Sequence, residues 1–163
     1  MRNQKGFSLI ELIVVVAILG IVGIGGMLSL SFATRQDAES CAEQLEGYLG
    51  RTKTYALSRE ASTLTVYAKS DGVYVQADGG TETKVGKYGM TVGYQTGGGT
   101  QEVLTESKRL IITFDRGSGA LITKLETGGT ETDVDCRELT ITGGGKTVRL
   151  IMVPATGKYY IEE

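Results

Sequence analysis

The feature that most constrains this chain is an apolar run over residues 7–32 that contains a single charged residue, Glu11. About 20 apolar residues suffice to cross the hydrocarbon core of a bilayer as a helix. Arg2 and Lys5 precede the run, and charged residues return from position 35. Because basic flanks stay on the cytoplasmic side, the run predicts a single membrane-spanning segment with the C-terminal portion outside.

Three other interpretations of this run are open. A cleaved secretory signal peptide also has a basic start, and small residues at 29–33 resemble a cleavage site. Its apolar core is usually only about 7–15 residues long, which disfavours that interpretation. A plain signal anchor would require nothing special at Gly6 or Glu11, and the length of the run disfavours an ordinary buried helix.

Glu11 separates these interpretations, because a charged residue near the centre of a membrane helix costs about 2.5–3.5 kcal/mol, and less near its end. Such a residue should have a partner, yet residues 7–34 contain no Lys, Arg or His. Cleavage after Gly6 would create a cation, the α-amine of Phe7, one helical turn before Glu11. The same amine on a neighbouring subunit would pair with Glu11 and fix the axial register between helices.

Residues 5–12, Lys-Gly-Phe-Ser-Leu-Ile-Glu-Leu, resemble the prepilin-type cleavage and methylation motif of type IV pilins and type II secretion pseudopilins. The resemblance implies that a prepilin peptidase cleaves between Gly6 and Phe7 and N-methylates Phe7, and that Glu11 serves assembly. It further implies a location in the bacterial cytoplasmic (inner) membrane and then in a pilus or pseudopilus. The implied partners are other pilin or pseudopilin subunits, an inner-membrane assembly platform and membrane lipid. Many members have a helix proline where this chain has Leu28, just after four glycines. These glycines provide either local softness or close helix packing.

The chain divides into a leader peptide (1–6), a transmembrane and assembly half of a helix (7–32), and an extracytoplasmic globular domain (33–163). Within that domain we predict an amphipathic helix over 33–58, continuous with the membrane half rather than broken near residue 34. Its apolar stripe follows steps of three and four residues and should face a sheet. The stripe comprises Ala38, Cys41, Ala42, Leu45, Leu49, Thr52 and Ala56.

A β domain over 62–163 follows, because the periodicity there changes toward two. Predicted strands are 63–68, 73–77, 91–94, 110–114, 121–125, 138–142, 147–153 and 159–161. Glycine-containing turns are predicted at 70–72, 116–119, 143–145 and 155–157, and an exposed loop at 97–105. The fold class is therefore α+β, with a long N-terminal helix packed on an antiparallel β-sheet or small β-sandwich.

Three further segments resemble the H-type minor pseudopilins of the general secretion pathway and the T-type minor fimbrial pilins. They are residues 45–59, 111–117 and 148–157. This resemblance implies a minor rather than a major subunit.

Two cysteines, Cys41 and Cys136, would both lie outside the membrane, where disulfides persist. A bridge between them would close a long loop and contribute roughly 4–5 kcal/mol in the chain-entropy model. Cys41 also belongs to the packing stripe, so two buried free thiols are the alternative.

Neither a metal site, a cofactor nor a catalytic set is predicted. The chain has no histidine, and two cysteines cannot form an ordinary zinc site. Glu131, Asp133 and Asp135 could hold Ca²⁺, but a solvated acidic turn is the favoured interpretation. The glycine-rich stretches lack the pattern of a phosphate-binding loop.

The formal charge disfavours nucleic acid as a partner. It is −2 for the whole chain, and loss of Arg2 and Lys5 leaves 15 basic against 19 acidic residues, or −4. A local basic patch that includes Lys108, Arg109 or Arg149 would be the exception.

The sequence therefore predicts a structural subunit, and not an enzyme, of a type IV pilus or a type II secretion pseudopilus. The alternative is a minor pilin that acts as a binding module at a filament tip, for DNA uptake, adhesion or a secreted substrate.

Overall fold

A computed structural model of the chain describes residues 9–58 and 61–162, and in the helix it describes the side chains of 9–19 and 37–58. Leu9–Ser58 form one continuous helix, α1, about 75 Å long at 1.5 Å per residue. The prediction of a helix without a break near residue 34 is confirmed.

The apolar stripe on the C-terminal half of α1 is buried as predicted. All seven of its side chains are at most 2% exposed. Thr52, the polar member, donates its hydroxyl to the carbonyl of Tyr48 at 2.9 Å, which satisfies its hydrogen bond within the helix. Because small residues alternate with leucines along the stripe, the helix can approach the strands closely at several levels.

Within the described residues, eleven strands follow α1, and every pairing between them is antiparallel. They are β1 (Thr63–Lys69), β2 (Gly72–Ala77), β3 (Glu82–Gly86), β4 (Thr91–Thr96), β5 (Glu102–Val103), β6 (Lys108–Phe114), β7 (Leu121–Thr127), β8 (Thr130–Val134), β9 (Cys136–Gly143), β10 (Lys146–Val153) and β11 (Lys158–Glu162). A six-stranded sheet, sheet A, has the order β3-β2-β1-β6-β7-β8, and a five-stranded sheet, sheet B, has the order β11-β10-β9-β4-β5.

The helix contacts both sheets, and the sheets contact each other where β4 meets β1 and β2. A single hydrophobic core joins the helical stripe to the inner faces of the two sheets. Its strand residues include Leu64, Val66, Leu110, Ile112, Leu139, Ile141, Val148 and Leu150. The α+β class is confirmed.

The chain passes from sheet A to sheet B between β8 and β9, across the single residue Asp135. The buried Thr123 fixes this passage, since its hydroxyl donates to the carbonyl of Val134 and accepts from the amide of Cys136 at 3.1 Å. The chain thereby passes from β8, an edge strand of sheet A, directly to β9, the central strand of sheet B.

All eight predicted strands are present, and the four glycine turns lie between β1 and β2, β6 and β7, β9 and β10, and β10 and β11. Three strands were missed. β3 and β8 are edge strands without clear apolar alternation. β3 buries only its last two residues, Val85 and Gly86, and β8 buries none.

Two predicted loops need correction. The acidic segment that contains Glu131 and Asp133 is the edge strand β8 rather than a turn. The loop predicted at 97–105 contains β5, and its residue Leu104 is fully buried and donates its amide to the carbonyl of Val92 at 2.8 Å.

The disulfide considered between Cys41 and Cys136 is not formed, and both residues are buried free thiols. Lys146 forms an ion pair with Glu39, two residues before Cys41 on α1. Lys146 also pairs with Gly143, the last residue of β9, so Cys41 lies near the C-terminal end of that strand. Cys136 begins β9, seven residues or about 23 Å away along the strand. A disulfide needs Cα atoms within about 7 Å, so the register of β9 keeps the two sulfurs apart.

We predict that Leu45→Ala destabilises the domain by about 2–5 kcal/mol, because Leu45 is almost fully buried between the sheets. Gly47→Ala is the matched variant on the opposite, exposed side of α1, where a Cβ meets nothing within 4 Å. It should stabilise the helix by about 0.5–1 kcal/mol. Urea unfolding of the full chain in detergent, followed by circular dichroism, measures both effects, and equal effects of the two variants would contradict the packing of α1.

We further predict that both thiols resist alkylation in the folded chain at pH 8–9 and react only after unfolding. Burial raises the pKa of Cys41 and of Cys136 to about 12, from 9.0, so the reactive thiolate is scarce in this range. Mass spectrometry after alkylation in urea without reductant should find two labels. A chain that gains labels only after reduction would instead contain the disulfide.

Candidate functional site

The N-terminal part of α1, residues 9–19, is an apolar surface on every side. Its nine large aliphatic side chains are 48–78% exposed, and they occupy nearly every position of three helical turns. A helix that is apolar all round is stable only where lipid or the apolar groups of a protein surround it. This segment is therefore the part of the described chain that most needs a partner.

Glu11 lies in the first turn of α1 and is exposed. The partial positive charge at a helix N-terminus favours a carboxylate there. Gly6 and Phe7, the predicted cleavage and methylation positions, lie outside the described residues.

Among the side chains that the structure describes, no helical stretch combines the length and the apolar character needed to span a bilayer. The predicted span, residues 7–32, includes positions 20–32, whose side chains are not among those described.

Two lysines hold α1 where it enters the β domain. Lys87, between β3 and β4, places its Nζ 2.7 Å from Oδ1 of Asp37, and Lys146 at the start of β10 pairs with Glu39. These partners are 50 and 107 residues apart in sequence, so no local pattern indicated them. Exposed ion pairs contribute little stability, but together they fix the rotation of the helix where it leaves the domain.

Near the other end of α1, Lys53 holds the turn between β10 and β11. Its Nζ donates to the carbonyl of Gly157 at 2.7 Å and lies 5.7 Å from the ring centroid of Phe114. Gly157 has φ +59°, and a Cβ there would come within 2.0 Å of the Gly119 carbonyl oxygen. Only glycine fits this close approach of two turns, which joins the ends of the two sheets beside the helix.

The outer face of sheet A carries an aromatic and charged cluster. Tyr67 stacks on Tyr74 with ring centroids 6.1 Å apart, and the guanidinium of Arg109 lies 4.7 Å from the Tyr67 ring centroid. Hydrogen bonds from the Tyr74 hydroxyl and from Lys84 lower the pKa of Asp71. Its cations already face rings or carboxylates, so the cluster braces the sheet.

Two of the three predicted acidic residues form ion pairs. Glu131 lies 3.0 Å from Lys124, and Asp135 lies 2.8 Å from Arg137. Within the described ranges, no group of three or more His, Cys, Asp or Glu side chains is arranged to hold a metal ion.

A cleft of about 780 Å³ lies at the distal end of sheet B, opposite the end where α1 leaves the domain. The end of β4, the start of β9 and the end of β10 form its walls. Gln95, Asp135, Arg137, Glu138 and Pro154 are among the lining residues. Both polar and apolar groups are therefore available there.

Residues 1–27 match a family model described as the Prokaryotic N-terminal methylation motif. No curated protein and no solved structure matches the chain. The matched segment contains Gly6, Phe7 and Glu11, and the motif implies processing by prepilin peptidase and contact with other pilin subunits. It supports a membrane-anchored, pilin-like or pseudopilin-like subunit. The chain thus carries the N-terminal motif that marks type IV pilins and pseudopilins.

Proposed function

We propose that this chain is a minor structural subunit of a type IV pilus or a type II secretion pseudopilus, and not an enzyme. Prepilin peptidase cleaves it between Gly6 and Phe7 and methylates the new amine. The mature chain stays in the cytoplasmic membrane through residues 7–32 until it is assembled through the same helix.

The observation that carries this proposal is the division of α1 into two surfaces. Its C-terminal half completes the core of the β domain, where the stripe residues are at most 2% exposed. Its N-terminal residues 9–19 contribute nothing to that core and present aliphatic side chains all round. A folded domain attached to an apolar helix suits a subunit whose helix packs against those of its neighbours, first in lipid and then in a filament.

The proposed contact between subunits is electrostatic as well as apolar. Methylation keeps the positive charge of the Phe7 amine, which can pair with the carboxylate of Glu11 on an adjacent subunit. In an apolar bundle such a pair is poorly screened by water, so it favours one axial offset between helices. The exposed position of Glu11 in the first turn of α1 supports a role at the surface between subunits.

The proposal of a minor subunit is supported by the resemblance of residues 45–59, 111–117 and 148–157 to H-type pseudopilins and T-type fimbrial pilins. The inner-membrane assembly platform would then be the partner that receives the processed chain.

A second candidate function is a binding module at a filament tip, and the distal cleft favours it. The cleft lies at the end of the domain that points away from the assembly helix, where a tip subunit presents its surface. The paired charges Asp135 and Arg137 beside apolar Pro154 suit a peptide or a secreted protein better than DNA, given the mature charge of −4.

We expect the mature chain, isolated from membranes that contain prepilin peptidase, to begin at N-methylated Phe7. Intact-mass and N-terminal analysis measures this directly, with membranes that lack the peptidase as the control. A chain that retains residues 1–6 in both membranes, or that is cut near residue 33, would contradict the proposed processing.

We expect Glu11→Ala to reduce incorporation into filaments by at least about tenfold, because a charged hydrogen bond contributes about 1.5–3 kcal/mol. Glu43→Ala is the matched control, since Glu43 is also an exposed carboxylate on α1 but lies beside the β domain. Immunodetection in sheared filament and membrane fractions measures both variants. If Glu11→Ala incorporates as well as Glu43→Ala, Glu11 has no part in assembly.

A further inference from the structure

We propose that the turn between β3 and β4, which carries Tyr88, rests in the lipid headgroup layer while the chain is anchored in the membrane. This inference rests on the proposed function, namely that residues 7–32 span the bilayer. It adds a second membrane contact, made by the β domain itself.

The direction of β3 places this turn near the point where the N-terminal half of α1 leaves the β domain. Gly86, the last residue of β3, lies beside Cys41. A Cβ added at Gly86 would be 3.2 Å from the Cys41 sulfur. The next residue, Lys87, reaches Asp37, one helical turn nearer the N-terminus of α1. Tyr88 follows at the tip, before the chain returns through Met90 into β4.

If residues 7–32 span the hydrocarbon core, Asp37 lies at the outer, aqueous edge of the lipid headgroup layer. Asp37 is five residues beyond the predicted span, or about 7.5 Å at 1.5 Å per residue. The headgroup layer is about 5–7.5 Å thick on each side of a hydrocarbon core of about 30 Å. Because the Lys87 side chain reaches the level of Asp37, the exposed ring of the next residue, Tyr88, is within reach of this layer.

The turn is held in a defined conformation and exposes its aromatic ring. The amide of Met90 donates to the Lys87 carbonyl at 3.3 Å, and Gly89 supplies the φ of +80° that such a turn requires. Met90 is buried against Gly143. Tyr88 itself is 83% exposed, more than any other large apolar or aromatic side chain in the described part of the chain.

An exposed tyrosine suits this location, because its ring is amphipathic and tyrosine is enriched at membrane–water interfaces. The neighbouring lysines, Lys87 and Lys146, face Asp37 and Glu39, so the surface has little net positive charge. The contact should therefore depend on the ring, and weakly on salt or on anionic lipid.

The chain contains no tryptophan, so Tyr88→Trp introduces a single fluorescent reporter. Tyr160→Trp is the matched control, since Tyr160 is 49% exposed. In sheet B, Tyr160 of β11 pairs with Ile151 of β10, and Ile151 pairs on its other side with Glu138 of β9. Glu138 is five strand residues from Gly143, so the control is about 16 Å farther from the membrane end of the domain.

The experiment uses the full chain in phosphatidylcholine vesicles, with and without lipids brominated near the headgroup. We expect Tyr88→Trp to emit at shorter wavelength than Tyr160→Trp, to lose emission in brominated vesicles and to resist an aqueous quencher. These differences should persist at high salt and without anionic lipid. Equal responses of the two variants would overturn the inference, and so would protection from the aqueous quencher without quenching by bromine, which would indicate a protein neighbour.

Flotation of the same vesicles after alkaline extraction separates the two levels of the proposal. If the chain floats and Tyr88→Trp behaves like the control, membrane anchoring stands and the headgroup contact is wrong. If the chain does not float, anchoring through residues 7–32 is wrong and the headgroup contact is wrong with it.

Discussion

Burial of one helical stripe between two sheets is the interaction on which the rest of the structure depends. Sheet A and sheet B contact each other directly mainly around β4, so the C-terminal half of α1 covers much of the apolar surface that both would otherwise expose. Leu45 and Leu49 fill the space between the sheets, and the small residues Ala38, Ala42 and Ala56 let the helix backbone approach the strands closely. The helix is therefore part of the β domain, although its first residues belong to another environment.

The polar contacts around this core orient the helix more than they stabilise it. Lys87 and Lys146 contact α1 where it enters the domain, and Lys53 on α1 contacts a turn near the other end. Exposed charge pairs of this kind contribute little free energy. Because they lie at both ends of the buried stripe, they set the direction in which the apolar segment leaves the β domain.

Much of this arrangement could be predicted from the sequence where periodicity is tied to burial. The stripe from Ala38 to Ala56 and all eight predicted strands follow that rule. β3 and β8 could not be predicted, because backbone pairing with a neighbouring strand holds them and their side chains show no apolar alternation. The separation of Cys41 from Cys136 depends on strand register, which composition does not encode. At the site, Glu11 was evident from its isolation among apolar residues, whereas the partners of Asp37 and Glu39 are distant in sequence.

The unbroken course of α1 has a mechanical consequence. A pull on its N-terminal half is transmitted along the helix axis to the stripe, and many side chains must slide past both sheets together before any separates. Load is then shared in shear rather than concentrated at one contact. Resistance to such loading is governed by the barrier to unfolding rather than by equilibrium stability. Under the proposed function, extraction of such a subunit from lipid by its helix would leave its β domain folded.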